Sequence, residues 1–284
     1  MFPEELTWPL ADWVNVFVDW LVLNYGDAFE AAANSVLRVL VLLEAGLRAI
    51  PWWVMVVAVA AVAFHASRRV GLALGLAVAM MLIGSFGLWD LAMQTIALMI
   101  VAVTIQLIIG IPVGILMAWS DRFRAAFLPV LDAMQTMPSF VYLIPALMLF
   151  GLGKVPAIFA TVIYAVPPLM RLTDLGIRMV DKEVMEASVA FGASRLQRLF
   201  GVQLPLALPN IMAGINQTTM MALAMVVIAS MIGARGLGEQ VLLGIQRLDV
   251  GKGLEAGISI VVLAIIFDRI SQSYGQRSQA HRSP

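Results

Sequence analysis

Residues 91–120 read LAMQTIALMIVAVTIQLIIGIPVGILMAWS, thirty positions from Leu91 to Ser120 without one charged side chain. A helix crosses the hydrocarbon of a bilayer with about 20 mostly apolar residues, so this run is longer than one span requires. It carries Pro112 in its interior, which a membrane helix tolerates better than a soluble one. The chain around it is 61% hydrophobic and 13% charged, against roughly a quarter charged in a soluble domain. A soluble core has no use for that much apolar surface, and the chain is read as an integral membrane protein.

Two apolar stretches precede the run, Pro51 to Phe64 and Val70 to Trp89. Behind it come Phe140 to Gly151 and Val155 to Met170, joined by the tight Gly151-Leu152-Gly153-Lys154 turn, then Asn210 to Ile232. Between Glu255 and Asp268 twelve residues are uncharged, so a last helix spans only with those carboxylates near the headgroups. The reading is an all-α membrane protein of about seven transmembrane helices.

In residues 1–50 the apolar side chains Trp13, Phe17, Trp20, Leu21, Val36, Leu37, Leu40 and Leu43 recur at helical spacing, with Asp12, Asp19, Asp27, Glu30, Arg38 and Glu44 between them. That pattern is amphipathic. Tryptophans at 8, 13, 20, 52 and 53 suit the headgroup level. The segment is expected to form one or two helices lying on the membrane surface; a cap packed on the bundle is the alternative. Glu4, Glu5 and Asp12 stand where a signal peptide would carry positive charge, so no cleaved secretory signal is expected. The organisation is therefore 1–50 interfacial, 51–90 two peripheral helices, 91–272 the main transmembrane domain with a polar loop at 171–209, and 273–284 a polar tail.

Basic residues set the orientation. Loops holding Arg68, Arg69, Arg122, Arg124, Arg171, Arg178, Lys182, Arg195, Arg198, Arg269, Arg277 and Arg282 share one side, which leaves Arg38, Arg48, Lys154, Arg235, Arg247 and Lys252 on the other. This predicts the N-terminus outside, the C-terminus in the cytoplasm and the 171–209 loop facing the cytoplasm.

Several chemistries are excluded. The formal net charge is zero, so no basic excess points to nucleic acid. With no cysteine there is neither a disulfide nor a thiolate metal site. No Gly-x-x-x-x-Gly-Lys-[Ser/Thr] run exists to hold ATP phosphates, nor His-Glu-x-x-His, nor Gly-x-Ser-x-Gly. The histidines are His65 and His281, and His65 borders Arg68 and Arg69 as an interfacial residue. No catalytic or metal-binding residue is assigned, and a membrane enzyme is disfavoured.

An ion-coupled secondary transporter would bury Asp, Glu, Lys or Arg near the midplane. The central helices offer uncharged polarity instead, with Gln94, Thr95, Thr104 and Gln106 in one and Asn216, Gln217, Thr218 and Thr219 in another. Gln94, Thr95, Gln135, Tyr142, Asn216 and Gln217 are candidates for lining a translocation path. Helix-to-helix hydrogen bonding is the competing reading for each of them. A path with no coupling ion of its own needs an external energy source.

The 171–209 loop holds Asp181, Lys182, Glu183 and Glu186 at the start of a helical stretch, Gly192 as an interruption, and Ser194 to Leu204 as a second short helix stopped by Pro205 and Pro209. Leu196, Leu199, Phe200 and Val202 alternate there with Arg195, Arg198 and Gln203, while Val184, Val189 and Phe191 sit in the first piece. Such a half-apolar projection suits a partner's groove. Composition alone leaves a plain solvated loop equally open.

The spacing of Glu186-Ala187-Ser188, Gly192 and Val202-Gln203-Leu204-Pro205 resembles the Glu-Ala-Ala, Gly, Ile-x-Leu-Pro motif of ABC importer permeases, with Ser188 for Ala and Val202 for Ile. The resemblance continues through residues 131–138 (LDAMQTMP), Phe140 to Pro145, Val166-Pro167-Pro168, Gly214 to Thr218, Ile228 to Ile232 and Gly236-Leu237-Gly238. Together these look like the permease of glycine betaine and proline betaine importers, a type I transmembrane domain, over about Leu91 to Tyr274. The resemblance implies two permeases, two ATP-binding subunits that use ATP and Mg in the cytoplasm, and an extracytoplasmic substrate-binding protein, all at the cell inner membrane. It implies no cofactor on this chain. Glu186, Ala187, Ser188, Gly192, Leu204 and Pro205 would form the loop seated on the ATPase. Quaternary ammonium recognition by aromatic cages is expected in the binding protein, with Phe140, Tyr142 and Tyr164 open to either a transient lining or ordinary packing. Choline or carnitine is the alternative cargo. Gly233 to Gly253, with Leu237, Val241, Leu242 and Ile245, is expected to help meet the binding protein.

Overall fold

A computed structural model describes residues 8–280, with side chains to Gly275. Among the described residues the structure is helical, with no strand. The acidic start at Glu4 and Glu5, and His281 and Arg282 of the tail, lie outside the described residues.

One 40-residue helix, α1 (Leu10–Ala49), opens the chain and turns by 103° at Pro51 into α2 (Trp52–Ser67). The amphipathic pattern therefore forms one helix, with Leu40 fully buried and Trp8, Trp13, Phe17 and Trp20 exposed. The peripheral pair is α2 and α3 (Val70–Ser85), reversed at Arg68, which takes a left-handed conformation. The run that opened the sequence reading is α4 (Trp89–Trp119). Its 31 residues reach ~46 Å at about 1.5 Å each, well beyond a hydrocarbon core of about 30 Å.

After α4 the chain turns at Ser120, whose hydroxyl caps α5 (Asp121–Thr136) by accepting from the Phe123 amide at 3.2 Å. Pro138 sets a 108° bend before a short 3₁₀ turn (Ser139–Tyr142) and the eight-residue α6 (Leu143–Phe150). The stretch expected as a straight span over Phe140 to Gly151 is thus a broken one. Tyr142 closes the bend, its buried hydroxyl donating to the Met134 carbonyl at 2.5 Å.

α7 (Lys154–Ala165) and α8 (Pro167–Arg178) form one span of 25 residues, two turns longer than its apolar run. α9 (Lys182–Ala190) and α10 (Arg195–Arg198) make a projection between α8 and the helix that follows. They are followed by α11 (Leu204–Ala229), α12 (Leu237–Arg247) and α13 (Val250–Ala280). The last helix runs 31 residues, so Asp268 is not at its end. Asp268 is instead sheltered against α11, accepting from the Asn216 amide at 2.9 Å and from the Gln272 amide at 2.6 Å.

By length and composition four helices cross a membrane, or six with each bent pair counted as one span, and α3 is a shorter apolar helix of 16 residues. The core gathers α4, α7 and α11, with α3, α13 and the end of α1 around it. Below this core α8 slots between α4 and α11 at backbone contact. A Cβ on Gly114 of α4 would stand 2.5 Å from Thr173 Cβ, and one on Gly176 of α8 would stand 2.8 Å from Asn210 Cβ. Small residues allow this approach, and without it α8 could not sit as deep.

Candidate functional site: the α9–α10 projection

Asp181 starts α9 by accepting from the Glu183 amide at 2.8 Å. No residue of α9 is buried, so Glu186 and Ala187 face outward and the Ser188 hydroxyl returns to the Met185 carbonyl at 2.6 Å. Gly192 takes a left-handed conformation at φ 77° and donates to the Val189 carbonyl at 2.9 Å, ending the helix. Ser194 and Gln197 then form a capping box that starts α10. Helix, glycine turn and second helix match the order read from the sequence.

The continuation differs. Leu199 to Gln203 wind as a wide π turn in which the Leu204 amide donates to the Leu199 carbonyl, and α11 follows without a break. Arg195 to Ile232 is one rod of 38 residues. Pro205 and Pro209, expected as stops, sit inside it. Pro205 follows the π turn directly, and the extra residue of that wider turn accommodates its ring and its missing amide within the rod.

The projection keeps apolar side chains in the open: Val184, Val189, Leu196, Phe191 at 92% and Phe200 at 66% exposure. Leu199 is its anchor, 3% exposed against Leu169, Ile177, Ala207 and Ile211 of α8 and α11, with Leu204 packed alongside. Glu186 and Arg198 line one cleft of about 520 Å³ together with Lys182, Met185, Val189 and Ala190. Burying such an exposed apolar set needs a partner surface.

Behind the projection, α8 is tied to α5 by charge. Arg178 reaches Asp121 at 2.7 Å, Asp174 at 2.8 Å and the Met117 carbonyl at 2.8 Å. Asp174, with its side chain 3% exposed, also accepts from Arg124 at 2.8 Å. Arg171 pairs with Asp132 further along. Sequence reading used these arginines only for orientation. Arg171, Asp174 and Arg178 share one helix face by their spacing, but their partners on α5 lie some forty to sixty positions away.

The six path candidates are not gathered on one surface. Gln94 is buried at the outer end of α4, accepting from Lys154 Nζ and donating to Asp90, each at 3.0 Å. Lys154 also pairs with Glu44 of α1 at 2.6 Å, a contact across 110 positions that no local pattern announces. Thr95 is buried and accepts from the Leu237 amide at 2.9 Å, holding the start of α12. Tyr142 closes the α5–α6 bend and Asn216 binds Asp268, as described. Gln135 and Gln217 are exposed. Gln217 lies with Ala213, Met220 and Ala224 along an open stripe of α11. Tyr142 and Tyr164 have ring centroids 6.1 Å apart, while Phe140 is exposed. Among the described residues no three His, Asp or Glu side chains converge on a metal-sized site.

Residues 110–279 match the family described as binding-protein-dependent transport system inner membrane component, and the chain belongs to that family: it is an importer permease of the inner membrane. Within it, the chain is 47% identical over 272 residues to the glycine betaine/proline betaine transport system permease protein ProW of Escherichia coli (strain K12), covering 96% of this chain and 77% of that one. It is 46% identical to the glycine betaine transport system permease protein OpuAB of Bacillus subtilis (strain 168), covering 93% and 94%. Identity is 42% to the glycine betaine/carnitine transport permease protein GbuB of Listeria monocytogenes, covering 98% and 99%. Among solved structures, the inward facing MetNI methionine ABC transporter superposes with a TM-score of 0.56 at 23% identity, over 66% of this chain and 93% of that chain. The fold is that of a type I ABC importer transmembrane domain.

Proposed function

We propose that this chain is the permease of an ATP-driven importer that carries glycine betaine, proline betaine or a similar quaternary ammonium solute into the cell. The observation that carries the reading is the α9–α10 projection: an exposed apolar surface at the cytoplasmic end, continuous through the π turn with a membrane-spanning rod. The functional unit is two copies of this chain, two ATP-binding subunits and an extracytoplasmic binding protein. ATP and Mg are bound and used by the ATPase subunits. Closure of the ATPase pair on nucleotide displaces the projection, and its differential fit to the two permease states shifts the equilibrium between outward and inward openings.

Twelve of the eighteen basic residues support the N-terminus outside and the C-terminus inside. Two contacts agree with that arrangement: Glu44 of α1 reaches the 151–154 turn through Lys154, and the His65 ring at the other end of α2 lies 6.2 Å from Tyr274 near the end of α13. On the outer side α12 buries Leu237 and leaves Ile245 and Leu248 exposed, a surface suited to the binding protein. The cargo reading leans on the relatives, whose names share a fixed methylated cation; carnitine in one of them keeps that solute as the alternative.

The test is Glu186→Ala and Gly192→Pro in the importer reconstituted with its cognate ATPase. Both variants are expected to insert normally and to lose about tenfold or more in ATP-driven uptake. Full transport by both would remove the projection from the mechanism.

A further inference from the structure

The pairs between α5 and α8 form a ladder with an alternating code. On α5 the charges run Asp121, Arg124, Asp132; on α8, read in the opposite direction, they run Arg178, Asp174, Arg171. Each rung is complementary. Positions 121, 124 and 132 share one helical face, as do 171, 174 and 178. A slip by one rung would set Asp121 against Asp174 and Arg124 against Arg171, both repulsive. Apolar contacts also hold α5, where buried Leu131 with Phe127, Leu128 and Met134 packs against Met117 of α4 and Met170 of α8, but such contacts are non-directional and leave the register to the paired charges. Asp174 is the buried rung, held by Arg124 and by Arg178 from its own helix, and a buried carboxylate that loses its partners is strongly disfavoured.

Two consequences follow from this geometry. The charge order of the contact favours one register of the two helices, with Asp174 as its buried rung and Asp121 and Asp132 exposed to solvent. The contact also lies in a continuous line: α9 joins α8 through Met179 and Val180, the ladder joins α8 to α5, and the Tyr142 hydroxyl on the Met134 carbonyl joins α5 to α6. We propose that the α5–α8 charge ladder is the latch that passes displacement of the coupling projection to the broken α5–α6 span, with Arg171 and Asp132 as positioning residues that hold its register. The inference rests on the importer reading given above.

The chain contains no cysteine, which allows spin labels at Phe123→Cys and Leu175→Cys, both exposed, in the complete importer in proteoliposomes. Label separation is read with and without ATP, alongside glycine betaine molecules moved per ATP hydrolysed, for the parent, Asp132→Arg, Arg171→Asp and the swapped pair carrying both. The parent should shift from one short distance towards a second, longer one on ATP. Each single reversal should populate the longer distance without nucleotide and lower the solute moved per ATP by about threefold or more, and the swapped pair should restore both. A separation indifferent to the reversals, or a swapped pair as impaired as the singles, overturns the latch. If the labels behave as expected while uptake ignores ATP, the importer reading fails and the latch stands.

Discussion

Gly192 and Gly114 are the same residue under opposite constraints. At Gly192 a Cβ would meet nothing within 4 Å, but the backbone stands at φ 77°. At Gly114 the backbone is ordinary helix and a Cβ would strike Thr173. Gly192→Ala should therefore strain only the turn, by about 1–2 kcal/mol, a cost that the exposed projection can relieve by opening locally without unfolding the bundle, so that transport falls more than the melting temperature in detergent. Gly114→Leu should force α4 from α8 at a cost of about 1–3 kcal/mol, read as a lower melting temperature and less folded protein in the membrane. A Gly192→Ala variant that melted as early as Gly114→Leu would contradict this division. The need for glycine at 192 was legible from its place between two helical stretches. The need at 114 was not, because nothing near it in sequence reveals that α8 passes within contact of it. The same limit explains Asn216 and Gln94: their polarity was visible, whereas the partners Asp268 and Lys154 lie 52 and 60 positions away.

At the scale of elements, hydrophobic runs located the helices well and their ends poorly. Apolar length predicts a span from what lipid requires, and α4, α8 and α13 extend past that length into contacts that lipid does not determine. The π turn shows the effect most clearly. Read alone, Pro205 and Pro209 break a helix; in the structure one extra residue at Leu199 to Gln203 carries the rod through. Deleting Gly201 should turn that segment into ordinary α-helix and rotate α10 against α11 by about 100°. The expected outcome is a permease that inserts and binds its external partner but no longer docks the ATPase, measured by co-purification of the two subunits. Retained docking would show that the projection is not oriented by the rod. On the outer side, Arg247→Glu at the end of α12 should weaken capture of the binding protein by about threefold or more, measured as its affinity for the reconstituted complex; unchanged affinity would move that surface elsewhere.

Across the whole molecule the charges divide the labour. One end is clamped by Glu44, Lys154, Gln94 and Asp90, the other by the α5–α8 ladder, and the apolar packing of α4, α7 and α11 lies between them. Neither clamp supplies energy. Asp268 is the sheltered carboxylate of α13, bound to the amides of Asn216 and Gln272 and 3.9 Å from the Arg269 guanidinium. In the importer proposed here, energy enters through the exposed apolar projection of α9 and α10. The most direct measurement is uptake of labelled glycine betaine into proteoliposomes holding this chain, its cognate ATPase and the external binding protein, with ATP, without ATP, and with an imposed sodium or proton gradient. Uptake only with ATP and both partners present is the predicted result; accumulation by this chain alone under an ion gradient would contradict the account.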